Sequence, residues 1–212
     1  PLGFNGTNVR QGDIIVSDRG ASGPDEIWSF SPAVSENEKL LMPDPGNIDQ
    51  FDLASDPNGK VYVCDALNSN SIFTLLPDGT LTPINLSVPI SNIYSIVYDN
   101  VLNDIYIASN DTKSIYRVNP LSGNVALVIS GFNNLHPCCL EIDPAKRKLW
   151  AADNGYNRVY EFNLYGGVPV NISVGLEGSQ SPVPDGWQIP LYIGFFKTGA
   201  DVLNEPDRKS VV

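Results

Sequence analysis

Apolar residues along this chain fall into short runs of four or five, separated by polar stretches rich in Gly, Asn, Asp and Pro. Runs that short, with no sustained 3.6-residue period, predict β-strands rather than helices. One set aligns as Ile14-Ile15-Val16-Ser17-Asp18, Val61-Tyr62-Val63-Cys64-Asp65, Ile105-Tyr106-Ile107-Ala108-Ser109 and Leu149-Trp150-Ala151-Ala152-Asp153. After a polar loop comes a second set: Ile27-Trp28-Ser29-Phe30, Ile72-Phe73-Thr74-Leu75, Ile115-Tyr116-Arg117-Val118 and Val159-Tyr160-Glu161-Phe162. Its aromatic residues Trp28, Phe73, Tyr116 and Tyr160 are spaced 45, 43 and 44 apart. A fixed period of this length marks a repeat architecture.

Each unit resolves into four strands, a to d from inside outward. In unit two, strand a is expected near 51–56, b at 60–65, c at 71–77 and d near 80–86, joined by Asp56-Pro57-Asn58-Gly59 and Pro77-Asp78-Gly79. Proline presets φ and glycine accepts positive φ, so such clusters close hairpins. Strand b is apolar on both faces and must be covered on both. Sheets stacked face to face around an axis supply that cover. The expectation is an all-β protein: a single β-propeller domain over 1–212, with four visible four-stranded blades at about 12–43, 47–86, 90–129 and 134–174. Unit one lacks a clear strand a, because residues 1–11 are rich in Gly and Asn. A strand-like segment at 187–197, around Ile189–Phe196, is expected to close blade one, to begin a further blade of a larger propeller, or to exchange with a neighbouring molecule.

Composition narrows the class. With 42% hydrophobic and 17% charged residues, the chain is globular. A formal net charge of −11 disfavours nucleic acid, whose recognition needs clustered Lys and Arg. No apolar run approaches the roughly 20 residues of a membrane helix. Pro1 opens the chain without a signal-peptide pattern, which reads as a processed or partial chain. Four sequons, at Asn5, Asn85, Asn110 and Asn171, point to the secretory pathway and a secreted or extracellular location.

Ala151-Ala152-Asp153-Asn154-Gly155-Tyr156-Asn157-Arg158-Val159-Tyr160-Glu161-Phe162 resembles the hallmark of NHL repeats: a small-Ala-Asp step, a Gly/Asn turn, Asn-Arg-Val, then a spaced Phe. The other three units keep the hydrophobic frame and often the Asp, but lose Asn-Arg. The resemblance extends over about residues 10–173 and includes the SMP-30/gluconolactonase-like propellers. It implies a fold of about six blades, with the b–c and d–a connections gathered at one channel mouth.

At that mouth the b–c loops are 18–26, 65–71, 109–114 and 153–158, opened by Asp18, Asp65, Ser109 and Asp153. These channel-mouth acids either converge on Ca²⁺, which takes six to eight oxygen ligands, or cap their own turns. Equivalent repeat positions favour capping. Asn110 sits in a b–c loop and Asn85 and Asn171 at matching d-strand ends, so glycans there would rim the mouth. His136 is the only histidine, which excludes a His-rich metal centre, and no Gly-X-Ser-X-Gly elbow accompanies it. Cys64 takes the place of Ala108 and Ala152 and reads as a small buried thiol. Cys138 and Cys139 either bridge each other, pair one of themselves with Cys64, or stay reduced. Arg158 is expected to bond neighbouring backbone or acidic groups, and Lys146-Arg147-Lys148 to form a solvated a–b turn.

No catalytic residue and no resident cofactor emerges, Ca²⁺ being the one ion considered. The function expected is a secreted, N-glycosylated, non-enzymatic interaction or structural module whose partners are other proteins or copies of itself. The alternative is a Ca²⁺-dependent hydrolase resembling the SMP-30/gluconolactonase group.

Overall fold

The computed structural model describes residues 14–19, 25–30, 38–42, 50–66, 72–76, 78–135, 140–156, 158–164, 172–175 and 208–211. Among these there is no helix, and every regular element is a strand. Four antiparallel four-stranded sheets result. Blade one contains β1 (Ile14–Arg19), β2 (Asp25–Phe30) and β3 (Glu38–Met42). Blade two is β4 (Gln50–Ser55), β5 (Val61–Asp65), β6 (Ile72–Leu75) and β7 (Leu81–Pro83). Blade three is β8 (Ile93–Asp99), β9 (Asp104–Ser109), β10 (Ser114–Val118) and β11 (Val125–Ser130). Blade four is β12 (Leu140–Asp143), β13 (Lys148–Asp153), β14 (Arg158–Asn163) and β15 (Ile172–Gly175). The fold is a β-propeller.

Blade one takes its innermost strand from the far end of the sequence. β16 (Arg208–Val211) runs antiparallel to β1, pairing Val16 with Val211 and Arg19 with Arg208. The segment 187–197, expected near this place, lies outside the described residues.

Alternation along strand b explains why its residues are apolar throughout. In β5, Val61 and Val63 face blade one and pack with Ile15, Ile27, Leu53 and Leu75. Tyr62 and Cys64 point the other way, into a core with Ile93, Ile96, Ile105 and Ile107 of blade three. Blade three repeats the arrangement: Tyr106 and Ala108 turn toward Leu149, Ala151 and Phe162 of blade four. Phe73, Tyr116 and Tyr160 pack on the face toward the preceding blade, which accounts for their even spacing. Burying each aliphatic side chain contributes about 1.5–3 kcal/mol. Among the described residues the blades contact in series, one to two to three to four, through their inner strands, and no comparable contact joins blade four to blade one.

Each a–b turn begins with an aspartate that caps it. Asp56 accepts from the amides of Asn58 and Lys60, Asp99 from that of Val101, and Asp143 from that of Lys146. Near the turn's end the chain adopts positive φ at Gly59, Asn103 and Arg147. The expectation for Lys146-Arg147-Lys148 needs correction at its middle residue. Arg147 is buried, and its guanidinium grips Asp99 of blade three in a bidentate pair at 2.5 and 2.7 Å. Lys148 is partly exposed and pairs with Glu161, and Lys146 is largely exposed.

Candidate functional site

The b–c and d–a connections meet at one end of the blades, as the strand order requires. In blade three, Asn110 N donates to Asn92 O at 2.9 Å, and in blade four Asn154 N donates to Asn134 O at the same distance. Of the acids that open the loops, Asp65 and Asp153 are buried. Asp153 accepts four backbone amides, from Asn133, Asn134, Gly155 and Tyr156, at 2.7–3.2 Å. In the equivalent position Ser109 donates to Ser91 O at 2.7 Å and accepts from Thr112 N. Asp111 takes hydrogen bonds from Ser91 and Asn92, which hold its carboxyl below the usual range. Asp65 is fully buried. The side chain of Asp18 lies outside the described part of the molecule. Among the described residues no group of three or more His, Cys, Asp or Glu is arranged to hold a metal.

A second polar feature lies on the inner strands. Asp52 and Ser95 occupy matching positions in β4 and β8, opposite Cys64 and Ala108, and Leu140 of β12, opposite Ala151, lies one position further along its strand. Asp52 Oδ2 accepts from Ser95 Oγ at 2.7 Å and Ile96 N at 3.1 Å, while Oδ1 accepts from Leu53 N. Ser95 Oγ in turn accepts from Leu140 N at 3.0 Å. Three blades are therefore tied in line by buried hydrogen bonds, of which those to Asp52 are charge-assisted. Next to this line Glu141 is half-buried, and burial, followed by the charge on Asp52, pushes its carboxyl up. The sequence reading missed all three polar residues. Polar side chains recurring in an otherwise apolar strand a were the signal available.

Of the sequons, Asn5 and Asn171 lie outside the described residues, as do His136, Cys138 and Cys139. Cys64 is fully buried in the apolar core between blades two and three. Arg158 is exposed, with its guanidinium 5.8 Å from the centre of the Tyr156 ring. Asn110 lies at the mouth, its Oδ1 accepting from Leu135 N of the next unit and from Lys113 Nζ. Asn85 is exposed, but it docks elsewhere. Its backbone carbonyl packs against Gly123, in the c–d turn of blade three, and Ser87 N donates to Gly123 O. The two described sequons therefore do not share one rim.

No helix among the described residues is long and apolar enough to cross a membrane. No protein-family model matches the chain, and no curated protein sequence does. Solved structures do. A chain of a nidogen/laminin complex superposes with a TM-score of 0.60 at 17% identity, over 74% of this chain and 60% of that one. A streptogramin B lyase gives 0.56 at 17% identity, over 73% and 49%. An inactive virginiamycin B lyase from Staphylococcus aureus gives 0.54 at 16%, over 74% and 50%. The chain spans only about half to three-fifths of the length of these structures. At such identities the likeness concerns the fold, and these neighbours are β-propellers that include both a component of a protein complex and lyases.

Proposed function

We propose that this chain is a secreted, N-glycosylated β-propeller serving as a non-enzymatic interaction or structural module, with proteins or further copies of itself as partners. Its repeat is closest in character to the NHL and SMP-30/gluconolactonase-like propellers, on the strength of Ala151–Phe162. The observation that carries the reading is the commitment of the mouth acids: Asp153 spends both oxygens on four backbone amides. A carboxylate so satisfied caps a loop rather than awaiting a substrate. A neighbour of the same fold within a nidogen/laminin complex supports the partner class. Exposed Asn85 suits attachment of a sugar. At Asn110 the hydrogen bonds use Oδ1, leaving Nδ2 for the N-linkage.

The test is intact mass, with and without an N-glycosidase, on chain made in a secretory host, followed by peptide mapping. Glycan-sized mass losses mapping to Asn85 and Asn110 are expected. A chain that passes through the secretory pathway unmodified at both positions overturns the glycoprotein reading.

A second reading, Ca²⁺-dependent hydrolysis, rests on the resemblance of Ala151–Phe162 to the SMP-30/gluconolactonase group. Under that reading Ca²⁺ raises the melting temperature in proportion to the logarithm of its concentration. A melting curve indifferent to Ca²⁺ rejects it.

A further inference from the structure

Blade three differs from its neighbours at the tips of two turns. Its a–b turn carries Val101 and Leu102, 55% and 43% exposed, and its c–d turn carries Leu121, 88% exposed. At the matching places blade two has Asn58 and Asp78, and the a–b turn of blade four has Ala145 and Lys146. The turns themselves do not require these apolar groups, because other side chains hold them. Asp99 accepts from Val101 N, and Asn119 Oδ1 accepts from the amides of Leu121 and Ser122 at 3.1 and 2.9 Å. Asn119 Nδ2 also donates to Asp104 Oδ1 at 3.0 Å, which joins the two turns at one end of the sheet. Exposed apolar groups that gather in one place and are not needed by the fold mark an interaction surface.

A polar cleft of about 310 Å³ opens at the same end. Asp104, Arg117, Asn119, Ser122 and Asn124 line it, and Leu121 stands in the turn that forms one wall. Arg117 is the solvent-facing charge of this cleft. Its side chain is 45% exposed against 13% for Asp104, and their contact, Nε to Oδ2, is 3.5 Å, longer than an ordinary hydrogen bond. Asp104 is also engaged by Asn119. Among the described residues no acceptor takes a hydrogen bond from the two Nη groups of Arg117. Those nitrogens form a planar fork that matches the two oxygens of a carboxylate.

We propose that this end of blade three is a docking surface for a protein segment that sets one aspartate or glutamate carboxylate in the Arg117 cleft, with apolar side chains beside it on Leu121 and the Val101–Leu102 tip. The inference rests on the interaction-module reading above and supplies its surface and the chemistry of its partner. Three observations select this occupant. The guanidinium fork calls for a carboxylate. The net charge of −11 repels polyanions and disfavours a second copy, so the charge received is a single one from another protein. No aromatic ring lines the cleft for a sugar to stack on, whereas apolar contacts around an arginine anchor are the makeup of a protein–protein hot spot.

The test titrates two tripeptides with blocked ends, leucine–aspartate–leucine and leucine–asparagine–leucine, into the isotopically labelled chain and follows its backbone amide signals. Expected are saturable shifts within 99–104 and 117–126 for the aspartate peptide, weakening as salt is raised, and no saturation for the asparagine peptide. Arg117→Gln weakens binding by about tenfold or more, as loss of a charge-assisted hydrogen bond predicts. Leu121→Ser weakens it several-fold and keeps the preference for aspartate. Both side chains are exposed, so the fold tolerates either change. A flat response at millimolar peptide, equal responses to the two peptides, or binding indifferent to either substitution overturns this surface and leaves the interaction-module reading standing. Recovery of cleaved peptide, read by mass, would instead sink the non-enzymatic reading and this inference with it.

Discussion

Arg147 shows how one side chain can hold two blades together. Its backbone sits at φ 55°, a region that costs a non-glycine residue of order 1 kcal/mol. Its guanidinium neutralises Asp99, which is wholly buried on the neighbouring blade. Burial pushes the Asp99 carboxyl up, but hydrogen bonds from Arg147 and from the Val101 amide outweigh it and hold the group below its ordinary value. Removing one partner of such a pair costs about 3–5 kcal/mol, because the other charge stays buried. Arg147→Met should lower the urea midpoint at pH 7 accordingly, and adding Asp99→Asn should recover much of the loss while keeping the turn capped. The pH dependence follows from the sign of the shift. A carboxyl with a depressed folded-state pKa lends stability above its unfolded value of about 3.9 and loses it as pH falls through the folded one. In Arg147→Met only the Val101 and Leu102 amides still oppose burial, so the Asp99 carboxyl rises, acidification relieves that variant, and the two midpoints should converge from pH 7 toward pH 4. Parallel curves would mean that the pair carries no charge coupling.

At the scale of single elements, what could be read in advance was whatever local chemistry dictates. Turn residues such as Asp56-Pro57-Asn58-Gly59 and the apolar frames of β5, β9 and β13 announce hairpins and doubly covered strands, and those strands formed where the pattern placed them. The role of Arg147 was illegible, because a Lys-Arg-Lys triplet looks solvated until the partner 48 residues away is known. Asp52, Ser95 and Glu141 were hidden for the same reason: their partners come from other blades. Gly123 makes a testable case at this level. It has φ 71°, and a Cβ there would lie 1.8 Å from the Asn85 carbonyl oxygen. Gly123→Ala should therefore cost about 1–3 kcal/mol from backbone strain alone, and more as the Asn85–Ser87 segment is displaced. Thermal unfolding measures the sum, and an unchanged melting temperature would show that this contact is absent in solution.

For the molecule as a whole, the repeat period foretold the architecture, since sheets that need cover on both faces must stack. Which strand completes blade one was not foretold. β16 carries only Arg-Lys-Ser-Val, a run too short and too polar to register as a strand without β1 beside it. The serial contacts make stability a nearest-neighbour property, as in other repeat proteins. Ile107→Ala, in the core between blades two and three, should cost about 2–5 kcal/mol. Its amide exchange should quicken in β5 and β9 and leave β14 nearly unchanged. Uniform acceleration across all four sheets would mean that the propeller opens as one cooperative body.

The pairing of β16 with β1 has a mechanical meaning. The residues that enter β1 and those that leave β16 lie at the same end of an antiparallel ladder of four register pairs. A force drawing the two ends of the chain apart would load these pairs one after another, like the teeth of a zip, rather than all together in shear. Under tension, blade one is where the propeller would yield first.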